Sequence, residues 1–187
     1  MRLSRTCEVN DPDKSCVVKW HPPHSPLVKV NFDGSVINNN KAATGFVIRD
    51  AQGNPLLAGA KNVGVNNILI TEGLALRDGL QKALENGFKK VQVEGDSKVL
   101  INCLKGSFST PWRLKKIVED INWLSSFFKE ISFSHIHREA NFTADSLAKL
   151  GHSLSSSQIW NRCLPLSALN AFNFDNFSLG CCRGFFL

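Results

Sequence analysis

Hydrophobic and polar residues alternate from Val28 to Asp33, and Gly34 and Ser35 follow directly. Alternation with a period of two predicts an extended segment, a β-strand, and it places Asp33 at the carboxyl end of that strand. Gly34 has no Cβ, so a ligand can approach the backbone closely there. Asp-Gly is also a common turn pair, and taken alone this stretch favours a turn.

The remaining pattern switches between extended and helical segments. Residues 51–54 fit a hairpin turn between two further extended segments, which predicts three antiparallel strands in series. We expect strands at 28–33, 43–50, 55–63, 90–95 and 130–137, and helices at 71–87, 97–105, 111–129 and 140–150. Strands and helices in this order predict a mixed α/β domain.

The helix expected at 71–87 carries an acidic residue on its apolar face. Small and apolar residues recur there at helical spacing, and Glu72 lies in the middle of this face, one turn before Leu76. A carboxylate facing the sheet is costly unless it is paired or binds a metal ion. The alternative is a first-turn glutamate that is favoured by the helix dipole and bends out to water. The sequence leaves both open.

Two more carboxylates lie at comparable places. Asp96 follows the strand at 90–95 and repeats the position of Asp33, although an aspartate before a helix is also a preferred N-cap, which is the favoured interpretation of Asp96 alone. Asp145 lies at the edge of the apolar face of the helix at 140–150, from which it can reach a neighbouring strand end.

The two ends of the chain differ in composition from the middle. Residues 1–26 are polar and contain several prolines, which predicts an arm or linker with Trp20 as the residue that docks on the domain. We expect the domain at 27–151. Residues 152–187 are expected to form a tail that docks around 159–169 and is otherwise disordered.

Composition narrows the class of protein only moderately. The 187 residues are 43% hydrophobic and 20% charged, as in soluble globular proteins, and the net charge of +6 permits a polyanionic partner without requiring one. The six cysteines have no zinc-site or disulfide-framework spacing, so reduced thiols are expected. No run approaches about 18 apolar residues and no secretory signal pattern is present. We therefore expect an intracellular protein without a membrane partner, with nucleus or cytoplasm left undecided.

Four motifs occur in the order VNFDGS, TEGLALRDGL, VEGDSK and HREANFTADSLAKLG. Together they resemble the ribonuclease H domain of plant non-long-terminal-repeat retroelement reverse transcriptases and their stand-alone descendants, over residues 27–151. The resemblance implies a ribonuclease H-like α/β fold. Its five-stranded mixed sheet has three antiparallel strands followed by two parallel ones and is flanked by helices.

This resemblance also implies an endoribonuclease that hydrolyses the RNA strand of an RNA/DNA hybrid with two Mg²⁺ ions, or with Mn²⁺ in their place. By the same likeness, Asp33 bridges both metal ions, Glu72 and Asp96 complete one site, and Asp145 holds the other. Mg²⁺ prefers hard oxygen ligands, and a pair of ions about 3.5 to 4 Å apart supports both the attacking and the leaving oxygen. A monomer is expected.

Substrate contacts are implied at the same edge. The resemblance assigns contacts with the RNA 2′-hydroxyl to Gly34, Ser35 and Asn67. Many relatives carry a histidine in a longer loop before the last acid, whereas the loop here is short. Arg138, seven residues before Asp145, is a candidate for a cation near the scissile phosphate. The alternative is a solvated arginine.

A second class of function stays open at this point. A retroelement-derived domain can keep the fold and the carboxylates and yet act as a catalytically weak or inactive module that binds nucleic acid or protein. The complete set of four acids favours the enzyme. The short loop and the unusual tail favour the binding module.

Overall fold

The computed structural model describes residues 17–177, 180–185 and 187. Residues 1–16 of the predicted arm and positions 178, 179 and 186 of the predicted tail lie outside the described residues. Trp20, the arm residue expected to dock, is buried and 3% exposed. Its indole nitrogen donates a hydrogen bond to Asn31 on the sheet.

Strands form one large sheet and one short ribbon. The described residues contain eight strands: β1 (Val17–Val18), β2 (Val28–Ile37), β3 (Lys41–Arg49), β4 (Pro55–Val65), β5 (Lys90–Gly95), β6 (Glu130–His135), β7 (Gln158–Asn161) and β8 (Cys181–Cys182). The large sheet has the order β6-β5-β2-β3-β4-β7, and β1 pairs with β8.

Helices connect the strands and flank the large sheet. The described residues contain five α-helices: α1 (Ile68–Glu85), α2 (Lys98–Leu104), α3 (Lys115–Ser125), α4 (Phe142–Gly151) and α5 (Leu169–Phe177). Helix α3 begins later than expected, because Trp112–Leu114 forms a 3₁₀ turn before it. No helix in the described ranges combines the length and the apolar character that a bilayer span requires.

The strand directions agree with the fold expected from the motifs. Strands β2, β3 and β4 are antiparallel neighbours, whereas β5 and β6 run parallel to β2. The sheet has one strand more than the five expected, because β7 from the C-terminal segment pairs antiparallel with β4. The sequence predicts docking of the tail around 159–169 but no strand there, because the four residues of β7 have no alternating pattern.

A hydrophobic core covers each face of the large sheet. Val30 and Phe32 of β2 pack with Leu76 of α1 and with α3 in the larger core. Val47 of β3 packs with Leu147 of α4 in the smaller core on the other face. Because side chains alternate between the faces of a strand, α1 and α4 approach the same part of the sheet from opposite sides.

The position of Asp33 within its strand differs from the prediction. Strand β2 continues to Ile37, so Asp33 lies inside the strand rather than at its carboxyl end. Pairing with β3 holds the strand together over this stretch. Pairing with the parallel strand β5 ends earlier, at Asn31 opposite Glu94. Asp33 therefore lies where β2 and β5 separate, which is an opening at the edge of the parallel ladder.

Candidate metal centre

Three of the predicted acids meet at this opening. Asp33 of β2, Glu72 of α1 and Asp96 after β5 each offer a carboxylate oxygen, and these oxygens lie within 4.8 Å of one another. Asp33 and Glu72 are buried, at 5% and 6% exposure, and Asp96 is half-buried. The three residues come from distant parts of the sequence, so the fold itself builds the cluster.

Gly34 brings α1 against the sheet at the cluster. A Cβ at Gly34 would lie 2.7 Å from the backbone nitrogen of Glu72 and would clash with Thr71. The Gly34 backbone also lies close enough to the Glu72 carboxyl to lower its pKa, against the effect of burial. The space next to Gly34 is thus filled by α1, whereas the sequence suggests that a ligand approaches the backbone there.

Asp96 is not the cap of the helix that follows it. Helix α2 begins at Lys98, and the N-cap position belongs to Ser97. Asp96 precedes this position, and its Oδ1 atom is buried without a hydrogen-bond partner among the described residues. The capping interpretation, which the sequence favoured for Asp96 alone, is therefore wrong.

Helix α4 carries Asp145 to the same edge. The Asn141 side chain donates a hydrogen bond of 3.0 Å to the carbonyl of Phe32, the residue before Asp33. Further along the helix, a Cβ at Gly45 would lie 2.2 Å from the backbone nitrogen of Ala148, so α4 lies directly on β3. Asp145 is 8% exposed, and its charge acts on Asp33.

Asp145 has two cationic partners. Arg138 approaches its Oδ1 at 3.1 Å and Lys149 approaches its Oδ2 at 2.6 Å. The side chains of Arg138 and Lys149 are half exposed, at 51% and 56%. Lys149 was missed in the sequence analysis, although its spacing of four residues from Asp145 on a helix is a usable signal.

Burial and mutual repulsion dominate the electrostatics of the cluster. Burial raises the pKa of Asp33 well above its usual range, and the charges of Glu72 and Asp96 raise it further. Burial likewise raises the pKa of Glu72 well above its usual range, while the Gly34 N–H opposes this shift. Burial also raises the pKa of Asp96, against the effect of Arg138. Crowded carboxylates of this kind favour protonation or cation binding.

The donor set fits a divalent cation. Besides Asp96 Oδ1, the Oε2 atom of Glu72 is buried and has no hydrogen-bond partner in the described part of the chain. Buried carboxylate oxygens without a partner are costly, and a bound cation removes that cost. Carboxylate oxygens are the ligands that hard divalent cations prefer. A divalent metal ion therefore suits this triad.

Two of the predicted substrate-contact residues, Ser35 and Asn67, already have contacts within the protein. Ser35 lies on β2 beside Gly34, and its hydroxyl is 3.0 Å from Nε2 of His152. Asn67 is the N-cap of α1, and its side-chain oxygen accepts a hydrogen bond from Ile70. This oxygen is thus engaged by the helix. Ser35 and His152 are 117 positions apart, so no local sequence pattern predicts their contact.

Fold and site together define the class of this protein. A mixed sheet with three antiparallel and two parallel strands, and a carboxylate triad where β2 and β5 separate, are the features of a ribonuclease H-like domain. Residues 31–151 match the model of the reverse transcriptase-like family. The chain belongs to this family.

Named ribonucleases H are among its relatives. The chain is 30% identical over 148 residues to an Arabidopsis thaliana protein provisionally named a ribonuclease H protein, covering 79% of this chain and 24% of that protein. It is 30% identical over 130 residues to ribonuclease HI of Halobacterium salinarum, covering 68% of this chain and 65% of that protein. The chain therefore spans less than two thirds of either relative.

Solved structures give the same assignment. RNase H1 from Halobacterium salinarum matches with a TM-score of 0.65 and 28% identity, over 68% of this chain and 98% of that chain. LC11-RNase H1 in complex with an RNA/DNA hybrid matches with a TM-score of 0.64 and 25% identity, over 67% of this chain and 96% of that chain.

Proposed function

We propose that this chain is a metal-dependent endoribonuclease that hydrolyses the RNA strand of RNA/DNA hybrids. The observation that carries the proposal is the meeting of Asp33, Glu72 and Asp96 within 4.8 Å, with Asp145 close enough for its charge to act on Asp33. The relatives named ribonuclease H, one of them in complex with a hybrid, support the choice of substrate.

In this proposal the four acids divide between two Mg²⁺ sites. Asp33 would contribute to both sites, Glu72 and Asp96 would complete one, and Asp145 would complete the other. When bound, the two ions stabilise the charge that develops on the attacking and leaving oxygens of the phosphodiester. Mn²⁺ accepts the same carboxylate ligands and is expected to replace Mg²⁺.

The surrounding residues have separate tasks. The half-exposed guanidinium of Arg138 lies beside Asp145 and can pair with a phosphate of the substrate strand. Ser35 follows Gly34 on β2, and its hydroxyl can contact the 2′-hydroxyl that distinguishes RNA from DNA, whereas α1 fills the space next to Gly34. Asn67 caps α1 with its oxygen, so any contact with the substrate falls to its amide nitrogen.

Strand specificity tests this proposal. The purified protein is incubated with Mg²⁺ and three duplexes of one sequence, RNA/DNA, RNA/RNA and DNA/DNA, with each strand labelled in turn. We expect internal cuts in the RNA strand of the hybrid and intact strands in the other two duplexes. Cleavage of the DNA strand, or equal cleavage of RNA/RNA, would contradict the assignment.

One observation favours a second candidate function, a module that binds hybrid without cutting it. Arg138 and Lys149 both pair with Asp145, and their charges offset the carboxylate that the second metal site needs. Binding of the hybrid with no cleavage in either Mg²⁺ or Mn²⁺ is the outcome that selects this function.

A further inference from the structure

Both ends of the described chain converge on one buried arginine in β3, the strand next to the one that carries Asp33. Arg49 at the end of β3 is fully buried. Trp20 from the N-terminal segment lies over its guanidinium at 3.6 Å, and Asp175 from α5 lies 3.4 Å from its Nη1 atom. Trp20 and Asp175 both lie outside the residues 31–151 that match the family model.

Asp175 holds the beginning of α4. Its Oδ2 atom accepts hydrogen bonds from the backbone N–H of Thr143 at 3.0 Å and from the Thr143 hydroxyl at 2.5 Å. Thr143 is the second residue of α4, where a backbone N–H has no partner within the helix. A carboxylate is also favoured there by the helix dipole. The residue that supplies this cap lies 32 positions further along the chain.

The same network reaches the strand that carries Asp33. Arg49 donates a hydrogen bond of 2.8 Å from Nη2 to the side-chain oxygen of Asn31, which also accepts from Trp20. Asn31 lies two residues before Asp33 on β2, and Thr143 lies two residues before Asp145 on α4. A buried series of contacts therefore connects β2 near Asp33 with the first turn of α4 near Asp145. It runs through Asn31, Arg49, Asp175 and Thr143.

We propose that Asp175 is a positioning residue that fixes Asp145 relative to Asp33, so that the C-terminal segment is part of the catalytic unit. This inference rests on the proposed function. Without the carboxylate of Asp175, the N–H of Thr143 and the guanidinium of Arg49 lose a buried partner, and the first turn of α4 gains freedom to shift. Small displacements of metal-binding or catalytic groups have large effects on rate.

Two substitutions test this role without opening a cavity. Asp175→Asn keeps the shape of the side chain and removes its charge, and Thr143→Val removes one of the two hydrogen bonds while leaving the ion pair with Arg49. We expect the single-turnover rate at saturating hybrid to fall about tenfold for Asp175→Asn and about threefold for Thr143→Val. The hybrid Kd, measured in Ca²⁺ without turnover, should stay within about twofold of wild type because neither residue is exposed to the substrate.

Two control variants separate positioning from general destabilisation. Asn173→Ala changes an exposed side chain on the same helix α5 and should leave the rate unchanged. Val118→Ala destabilises the larger core on α3, away from α4. All rates are measured at a temperature where circular dichroism shows each variant to be folded. Rates of Asp175→Asn and Thr143→Val equal to wild type, or lowered no more than that of Val118→Ala, would overturn the inference.

Metal binding provides a readout that does not depend on cleavage. Titration calorimetry with Mn²⁺ should show weaker binding to Asp175→Asn than to wild type, with Asn173→Ala unchanged. If the wild-type protein fails to cut hybrid, the proposed function fails, and the Mn²⁺ titration still decides the role of Asp175. Equal Mn²⁺ affinities for wild type and Asp175→Asn would then reject that role.

Discussion

Asp33 and Gly45 are direct partners in the antiparallel ladder of β2 and β3. The absence of a side chain at Gly45 allows α4 to lie on the sheet at this point, since a Cβ there would meet the helix backbone. Strand β2, which carries Asp33, and helix α4, which carries Asp145, can thus lie close together because the residue of β3 between them is a glycine. This relationship explains how Asp145 lies close enough for its charge to act on Asp33 although α4 and α1 cover opposite faces.

Gly45→Ala should therefore push α4 away from Asp33. Backbone atoms of α4, rather than flexible side chains, occupy the space that the new Cβ needs. We therefore expect the free energy of unfolding to fall by at least about 1 kcal/mol, and Mn²⁺ to bind more weakly. Urea unfolding and titration calorimetry measure the two effects. Gly106→Ala is the control, because the positive φ of 70° strains an alanine there, but no atom of the described residues lies within 4 Å of the added Cβ. Gly106→Ala should lose stability and keep its Mn²⁺ affinity. Unchanged Mn²⁺ affinity in Gly45→Ala would refute this explanation.

Asp33→Asn should stabilise the metal-free protein at neutral pH. Removing one of the crowded carboxylates relieves the repulsion that, together with burial, raises the pKa values of Asp33 and Glu72. We expect an increase of about 1 to 3 kcal/mol in the free energy of unfolding. Addition of Mg²⁺ should stabilise wild type and leave Asp33→Asn nearly unchanged. A variant that is less stable than wild type without metal would show that repulsion is not the dominant effect.

The pH dependence of metal-free stability follows from the same shifts. Because Asp33, Glu72 and Asp96 have raised pKa values in the folded protein, the folded state binds more protons than the unfolded chain above the usual carboxylate range. Stability should therefore fall as pH rises from that range through the raised pKa values. Urea unfolding at about pH 5 and about pH 8 measures the slope, which should be smaller for Asp33→Asn and in saturating Mg²⁺. Equal slopes for wild type and Asp33→Asn would contradict this assignment of the pKa shifts.

Arg138 and Lys149 form a matched pair for testing the role of a cation near the substrate. Each pairs with Asp145 and is half exposed, so each substitution to Gln should change stability by less than about 1 kcal/mol. We expect Arg138→Gln to lower the cleavage rate about tenfold, because a guanidinium can bind a phosphate through two hydrogen bonds, and Lys149→Gln to lower it far less. If the two substitutions changed the single-turnover rate equally, both residues would act only by pairing with the charge of Asp145. A phosphate contact specific to Arg138 would then be contradicted.

The sequence predicted the elements that depend on local patterns. Alternation around Val30 reflects the apolar side chains that β2 turns toward α1, although both faces of this strand are buried. The helical spacing around Leu76 reflects burial of one face of α1, and the position of Glu72 on that face follows from the same periodicity. The extension of β2 beyond Asp33 escaped prediction because it depends on pairing with β3. Likewise, β7 is a short strand that exists because β4 offers it an edge.

The network around Arg49 was equally inaccessible from the sequence. Its hydrogen-bonded pairs are up to 127 positions apart, and no periodic pattern links them. Asp175 appeared in a segment with few charges, where nothing distinguished it from a solvated aspartate. Buried polar contacts of this kind are decided by tertiary packing, because only the folded chain removes water from both partners.

The most direct measurement is the cleavage of an RNA/DNA hybrid, labelled on the RNA strand, by wild type and Asp33→Asn over a titration of Mg²⁺. We expect internal cleavage by wild type that requires the ion, and a loss of at least about a thousandfold in Asp33→Asn, which keeps its fold but lacks the shared ligand. Cleavage by Asp33→Asn at the wild-type rate, or cleavage by wild type in the presence of a chelator, would contradict this expectation.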